Sequence, residues 1–311
     1  MSNAGRSTFF RQAAGRFVVA KPASFIIVVA ALCFILGALT GPSILRAIWI
    51  GEAIAQKKDL PFPMAWRMGS NLYMQTAAEY RASCLQTYAS AEQRLQAILQ
   101  AASLPFPKPA VVMDLDETVL DNSAFQTFLY LNNLEYTEAL WERYEKDYPD
   151  DVTLVPGAKE FIAKAERNGV TVVYISNRSE TNRPSTITAL RQLGINIDNI
   201  NARLLLKKKG ASSDKSARRE EAALRYNILL HIGDNLRDFS EAFAVARLRS
   251  FAAETQLSEI EQRCAIVDSA AAHWGVDWFI LPNPVYGEWE KLLGDQPRLK
   301  LRATRMKLAG K

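Results

Sequence analysis

The chain has 311 residues, 49% of them hydrophobic and 23% charged, the composition of a folded protein rather than a disordered or fibrous one. Its net charge of +5 sits at the ends: residues 1–50 carry Arg6, Arg11, Arg16, Lys21 and Arg46 and no acid, and six basic residues follow Asp295, so the body between is acidic and offers no footprint for nucleic acid. With two histidines, three cysteines and no C-x-x-C spacing, histidine nucleophiles, histidine-rich metal centres and zinc ribbons are excluded, and any chemistry falls to carboxylates.

Residues 1–21 read as a basic tail, followed at 22–45 by a span with no charged residue, densest at Phe25–Leu39 (FIIVVAALCFILGAL). This is membrane-directed sequence. It reads either as an uncleaved signal anchor or as a signal peptide with Ala38 and Thr40 as the small pair of a cleavage site. Leu32 before Cys33 rules out a lipoprotein signal. Basic residues ahead of the span leave the N-terminus cytoplasmic and put the body across the membrane. A charged, proline-marked linker covers 46–63. Helical spacing over Trp66–Ala102 predicts one or two helices within a segment 64–103, the first part of a helical accessory domain.

The proline-rich LPFPKP at 104–109 opens a larger domain, 104–296, and strands alternate with helices from there. AVVMD (110–114), TVVYIS (171–176), ARLLL (202–206) and ILLHIG (228–233) read as strands, with Leu248–Ala252 and Trp278–Leu281 as further short ones. Helices are predicted at Pro156–Asn168, Thr181–Leu193, Asp214–Tyr226 and Asp238–Ala246, and 124–150 is an aromatic-rich helical insert that shapes access to the site. The basic tail at 297–311 is a solvated end or a contact for anionic lipid headgroups. Cys84 and Cys264 read as two free buried thiols, His231 as a core histidine, and Arg218 and Arg219 as a solvated helix face. The fold class is α/β, a doubly wound, Rossmann-like parallel sheet.

In such sheets ligands bind at the carboxyl ends of the strands. Three strands end in polar clusters: Asp114-Leu115-Asp116-Glu117-Thr118, Ser176-Asn177-Arg178, and Asp234-Asn235-Leu236-Arg237-Asp238. Asp114 and Asp116 flank one residue, so on an extended chain both carboxylates share a face. A Mg²⁺ ion would relieve their repulsion while taking hard oxygen ligands. One carboxylate could attack phosphorus and the other could protonate the departing alcohol and then activate water.

VVMDLDETVLDNS resembles the first motif of the haloacid dehalogenase-like hydrolases, in the form seen in class C bacterial nonspecific acid phosphatases and their 5′-nucleotidase relatives. YISNR, SSDKSARR and IGDNLRDF resemble the second, third and fourth motifs, and LPNPVYGEWE (281–290) a segment near the family's C-terminus. The resemblance covers about 62–294. It implies a metal-dependent phosphomonoesterase acting on small organophosphates, including nucleoside 5′-monophosphates, through an aspartyl-phosphate.

By the same resemblance Asp114 is the nucleophile and a ligand of one Mg²⁺, and Asp116 is the acid/base, with its backbone carbonyl on the metal. Ser176, the Asn177 backbone N–H and Lys215 hold the phosphoryl group; Lys215 is preferred over Lys208. Asp234 is the third protein ligand, and Asp238 orients Lys215 or a metal-bound water. The family often has tyrosine at Phe125 and an indole at Phe128. Phe128, Trp141 and Tyr286 are candidates to stack an aromatic leaving group, or else packing residues. Arg178 is either a salt bridge or a substrate contact. The resemblance also suggests a homodimer, and the apolar span places the body of this bacterial-type protein in the cell envelope, anchored to the inner membrane facing the periplasm or released into it. A tethered binding protein without turnover and a cytosolic phosphotransferase on the same fold are the alternatives. The intact set of Asp114, Asp116, Lys215 and Asp234 argues against the first, and the apolar span against the second.

Overall fold

Val111, Val112, Val172, Val173 and Ile175 are β-branched residues suited to a sheet covered on both faces, and all five are buried. The computed structural model describes residues 62–102, 106–251, 257–294 and 300–301. The basic N-terminal tail, the 22–45 span, nearly all of the linker and nearly all of the C-terminal tail lie outside the described residues. Among the described residues no helix is long and apolar enough to cross a membrane.

In chain order, α1 (Phe62–Thr76) and α2 (Ala78–Ala101) precede β1 (Pro109–Met113). The short strands β2 (Leu120–Asp121) and β3 (Thr153–Leu154) pair antiparallel and enclose α3 (Ser123–Leu131) and α4 (Glu138–Asp147). Next come α5 (Ala158–Arg167), β4 (Thr171–Ser179), α6 (Arg183–Gln192), α7 (Ile200–Arg203) and β5 (Leu204–Lys207). The rest is α8 (Ser216–Arg225), β6 (Asn227–Gly233), α9 (Val245–Phe251), α10 (Glu259–Ser269) and β7 (Trp278–Ile280).

The main sheet runs β5-β4-β1-β6-β7, every pair parallel. Val111 is opposite Val172 on one side and Leu230 on the other. Alternate residues of β1 face opposite cores. Val111 and Met113 join the cluster with Tyr88 and Leu95 of α2 and Phe161 of α5, while Ala110 and Val112 join Ala222 of α8. The chain builds outward from β1 through β4 to β5, then returns to lay β6 on the other flank of β1. That reversal opens a crevice beyond the carboxyl ends of β1 and β6, where Asp114 and Asp234 stand.

Two predicted elements are corrected. The helix predicted over Asp238–Ala246 is two separate 3-10 turns, Leu236–Asp238 and Glu241–Phe243. Asn235 and Ser240 cap them, accepting from the backbone N–H of Arg237 and Ala242, and each cap restarts the chain in a new direction. The strand predicted at Leu248–Ala252 falls largely in α9, whose first N–H, from Val245, is accepted by Glu288 at 3.1 Å. Helix α10 has few buried residues and no broad apolar stripe in the sequence to announce it. Both thiols are free, and Cys264 is exposed rather than buried.

The insert is fixed to the sheet by aromatic packing and one buried acid. Phe125 of α3 stacks on Tyr144 of α4 at 4.8 Å and meets Trp141 edge-on at 5.2 Å. Glu145 of α4 accepts from the Ser179 backbone N–H at 3.1 Å and from Asn182 Nδ2 at 2.9 Å. Desolvation pushes its pKa up from 4.5 to about 7, with the Arg178 charge opposing the rise. A carboxyl raised in the fold keeps its proton there and gives it up on unfolding, so its favourable contribution is complete below pH 4.5 and is lost as pH rises to about 7. Glu145→Gln should therefore gain Tm relative to the wild type across that interval and hold a constant difference above it. Melting curves whose difference does not change with pH would contradict this.

Candidate active site

Asp114 follows β1 directly, and its N–H is held by the Ile232 carbonyl of β6 at 3.0 Å. Lys215, at the start of α8, places its Nζ 2.7 Å from Asp114 Oδ1 and 2.7 Å from Asp238 Oδ1. Its own backbone N–H is fixed by Glu241 Oε1 at 2.9 Å. Burial alone would lower the lysine pKa, but the Asp114 and Asp238 carboxylates outweigh it and hold the ammonium charged. Burial drives Asp114 well above the usual carboxylate range against the pull of Lys215.

Asp234 follows β6. Its oxygens accept from Thr118 Oγ1 at 3.1 Å and Asn283 Nδ2 at 2.8 Å. Burial, with Asp238 close by, raises its pKa to about 7. Asp238 folds back over Gly233, where a Cβ would lie 2.4 Å from Asp238 Oδ2, so any side chain at 233 would push this acid away. Carboxylate oxygens of Asp114, Asp234 and Asp238 all lie within 4.8 Å of one another. Three hard oxygen donors so close together, with burial disfavouring the ionised forms of Asp114 and Asp234, fit a hard divalent cation, which would stabilise their charge. Asp238 thus belongs to the acidic cluster as well as holding Lys215.

The Asp116 carboxylate lies in a different environment. Its Oδ1 accepts from Arg178 Nε at 2.7 Å and from Asn122 Nδ2 at 3.0 Å, and Ser176 Oγ lies 3.2 Å from its Oδ2. Between Asp114 and the hairpin the chain turns tightly. The N–H groups of Val119 and Leu120 both bond to the Leu115 carbonyl, at 2.7 and 2.8 Å. Glu117 takes φ +56°, a left-handed conformation that few side chains adopt. Its buried carboxyl accepts from the Asn122 N–H at 2.9 Å, which supports that turn. Desolvation raises the Glu117 pKa well above normal.

A cavity of about 530 Å³ opens over these groups and is lined by Asp114, Asp116, Lys215 and Asp234 together with Asn177. Trp141 and Tyr286 line it, as do Tyr136 and Leu129, which the sequence did not single out. The structure does not bring Phe128 to the lining. That residue is 41% exposed, and the α3 residues that line the cavity are Gln126 and Leu129. Arg178 is wholly buried and does not line the cavity, which corrects the substrate-contact alternative in favour of the salt bridge. Arg218 and Arg219 are also corrected: Arg218 donates to the Ser176 carbonyl and Asn177 Oδ1, and Arg219 to the Arg237 carbonyl, so both brace strand-end loops. Ser176 is wholly buried with its hydroxyl on Asp116 Oδ2 and does not line the cavity, which corrects the expectation that it holds a phosphoryl oxygen. Lys208 is exposed, and Lys215 is the lysine paired with Asp114. Burial lowers His231 to about pKa 4 and keeps it neutral.

Asn122, Thr118 and Asn283 escaped notice as single residues. Each lies inside a stretch that did stand out, DETVLDNS or LPNPVYGEWE. What the sequence did not show is that they hold Asp116 and Asp234.

The model of the acid phosphatase family, HAD superfamily subfamily IIIB, matches residues 52–289. Among solved structures, the chain is similar to the class C acid phosphatase from Bacillus anthracis, with 30% identity, a TM-score of 0.61, and 74% of this chain and 89% of that one covered. A tungstate-bound crystal structure of a class C acid phosphatase from Bacillus anthracis matches at 29% identity and TM-score 0.65, covering 78% of this chain and 98% of that one. The chain belongs to the acid phosphatase family of the HAD superfamily, subfamily IIIB, and is a phosphomonoester hydrolase.

Proposed function

We propose that the protein hydrolyses phosphomonoesters in two steps through an aspartyl-phosphate on Asp114. The observation that carries this reading is the Asp114 carboxylate at the sheet's switch point, 2.7 Å from the buried Lys215 ammonium and open to the cavity. An Asp114 oxygen attacks phosphorus, and the ester oxygen leaves with a proton from Asp116. Asp116 then takes a proton from water as it attacks the acyl phosphate. Lys215 and the Asn177 backbone N–H neutralise or hold the phosphoryl oxygens. Asp114, Asp234 and Asp238 would hold Mg²⁺ with the Asp116 carbonyl, and the bound ion supplies charge neutralisation at the phosphoryl group.

Trp141, Tyr136 and Tyr286 beside the acids support a preference for flat aromatic leaving groups, nucleoside 5′-monophosphates among them. The basic tail and uncharged span of residues 1–45 support action outside the inner membrane, anchored to it or released into the periplasm.

Asp114→Asn should fold normally and release phosphate from p-nitrophenyl phosphate at least about 10⁴-fold more slowly, the scale seen when a nucleophile is removed. Normal turnover in that variant would exclude the scheme. Mg²⁺ should raise the Tm of the wild type and not of Asp234→Asn, and EDTA should abolish turnover; an identical Mg²⁺ response in both proteins would refute the ligand assignment. Trp141→Leu should raise KM for nucleoside monophosphates by about three- to tenfold, the worth of one aromatic pair. Its KM for glycerol phosphate should stay unchanged, and equal shifts for both substrates would remove Trp141 from leaving-group recognition.

A further inference from the structure

Arg178 lies near the end of β4 with none of its surface exposed. Burying a guanidinium costs several kcal/mol unless its charge is paired in good geometry. The pairing here is directed at one oxygen. Arg178 Nε donates to Asp116 Oδ1 at 2.7 Å. Arg178 Nη2 donates to Asn122 Oδ1 at 2.9 Å, and Asn122 Nδ2 donates back to Asp116 Oδ1 at 3.0 Å, closing a ring of three side chains. The Arg178 backbone N–H donates to Ser176 Oγ at 3.1 Å, and that hydroxyl stands 3.2 Å from Asp116 Oδ2. The guanidinium carbon lies 5.6 Å from the centroid of the Trp141 ring, within cation–π range, and Trp141 itself lines the cavity. Asp116 Oδ1 therefore takes one charged and one amide donor, while Oδ2 meets a single rotatable hydroxyl.

We infer that Arg178 is a positioning residue for the leaving-group acid. Together with Asn122 it occupies Asp116 Oδ1, fixes the rotation of the carboxyl, and leaves Oδ2 as the oxygen that carries the transferable proton. This rests on the two-step reading above. As the bond from an Asp114 oxygen to phosphorus forms, the ester P–O bond breaks. Its electron pair goes to the departing oxygen, which takes the proton from Asp116 Oδ2 and leaves as the alcohol. Asp116 is left as a carboxylate beside the guanidinium. Arg178 itself never meets substrate, since it is enclosed beneath the cavity.

The readout is sensitivity to the leaving group. Nitrophenolate departs without a proton, whereas an alkoxide needs one. The measurement is kcat/KM, which covers only the steps through loss of the alcohol, for p-nitrophenyl phosphate and for ethyl phosphate. Arg178→Lys keeps the buried charge and loses the planar fork. Asn122→Ala opens the ring from the other side and serves if the arginine variant fails to fold, as judged by its melting curve. Both should lose about 10²-fold on ethyl phosphate, the lower end of what a positioned acid contributes, and less than about tenfold on p-nitrophenyl phosphate. Asp116→Asn should show the same selective loss. If Asp116→Asn is selective and the other two variants lose activity equally on both esters, the positioning role is overturned and the acid role stands. If Asp116→Asn itself loses equally on both, the acid role is overturned and the inference with it.

Discussion

One ammonium buried among carboxylates organises this site. Lys215 sits between Asp114 and Asp238, and Asp234 stands within the same cluster of oxygens. Charges removed from water are costly, and they persist only where geometry supplies partners for each. The fold supplies them from separate parts of the chain. Glu241 holds the Lys215 backbone, Asn283 and Thr118 hold Asp234, and Gly233 lets Asp238 approach closely enough to reach Lys215. The parallel sheet makes this convergence possible, because its chain reversal places the ends of β1 and β6 side by side.

Two carboxylates separated by a single residue end in different surroundings. Asp114 faces the ammonium and the acidic cluster, whereas Asp116 faces a guanidinium and an amide. Division of labour between paired acids commonly comes from such a difference in environment. The α4 insert takes part in both. Its Trp141 lines the cavity and lies against Arg178, and its Glu145 is tied to the end of β4. Substrate access and the setting of Asp116 are thus built on the same helix.

The strands were legible because buried parallel strands carry unbroken apolar runs, and a polar cluster straight after such a run marks a strand end. Asp114, Asp116, Asp234 and Lys215 were found on that pattern and on resemblance. Contacts across long separations were not legible. Arg178 reaches back 62 residues to Asp116, and Arg218 reaches back 42 to Ser176, so neither partner shows in a local window. The helix predicted at Asp238–Ala246 failed because the Ser240 side chain takes the Ala242 N–H, which a continuous helix would have bonded to the Asp238 carbonyl. Phe128 was a plausible wall residue by type, but the phase of α3 is set by Phe125 packing into the core, and that rotation presents Gln126 and Leu129 to the cavity.

The central claim is that the phosphoryl group passes through Asp114. Wild-type enzyme mixed with p-nitrophenyl phosphate, quenched in acid within the first turnover and digested for peptide mass analysis, tests it directly. The account predicts one phosphoryl group on the peptide carrying Asp114, formed as fast as nitrophenol is released. A burst of nitrophenol with the phosphoryl group on another residue would contradict it.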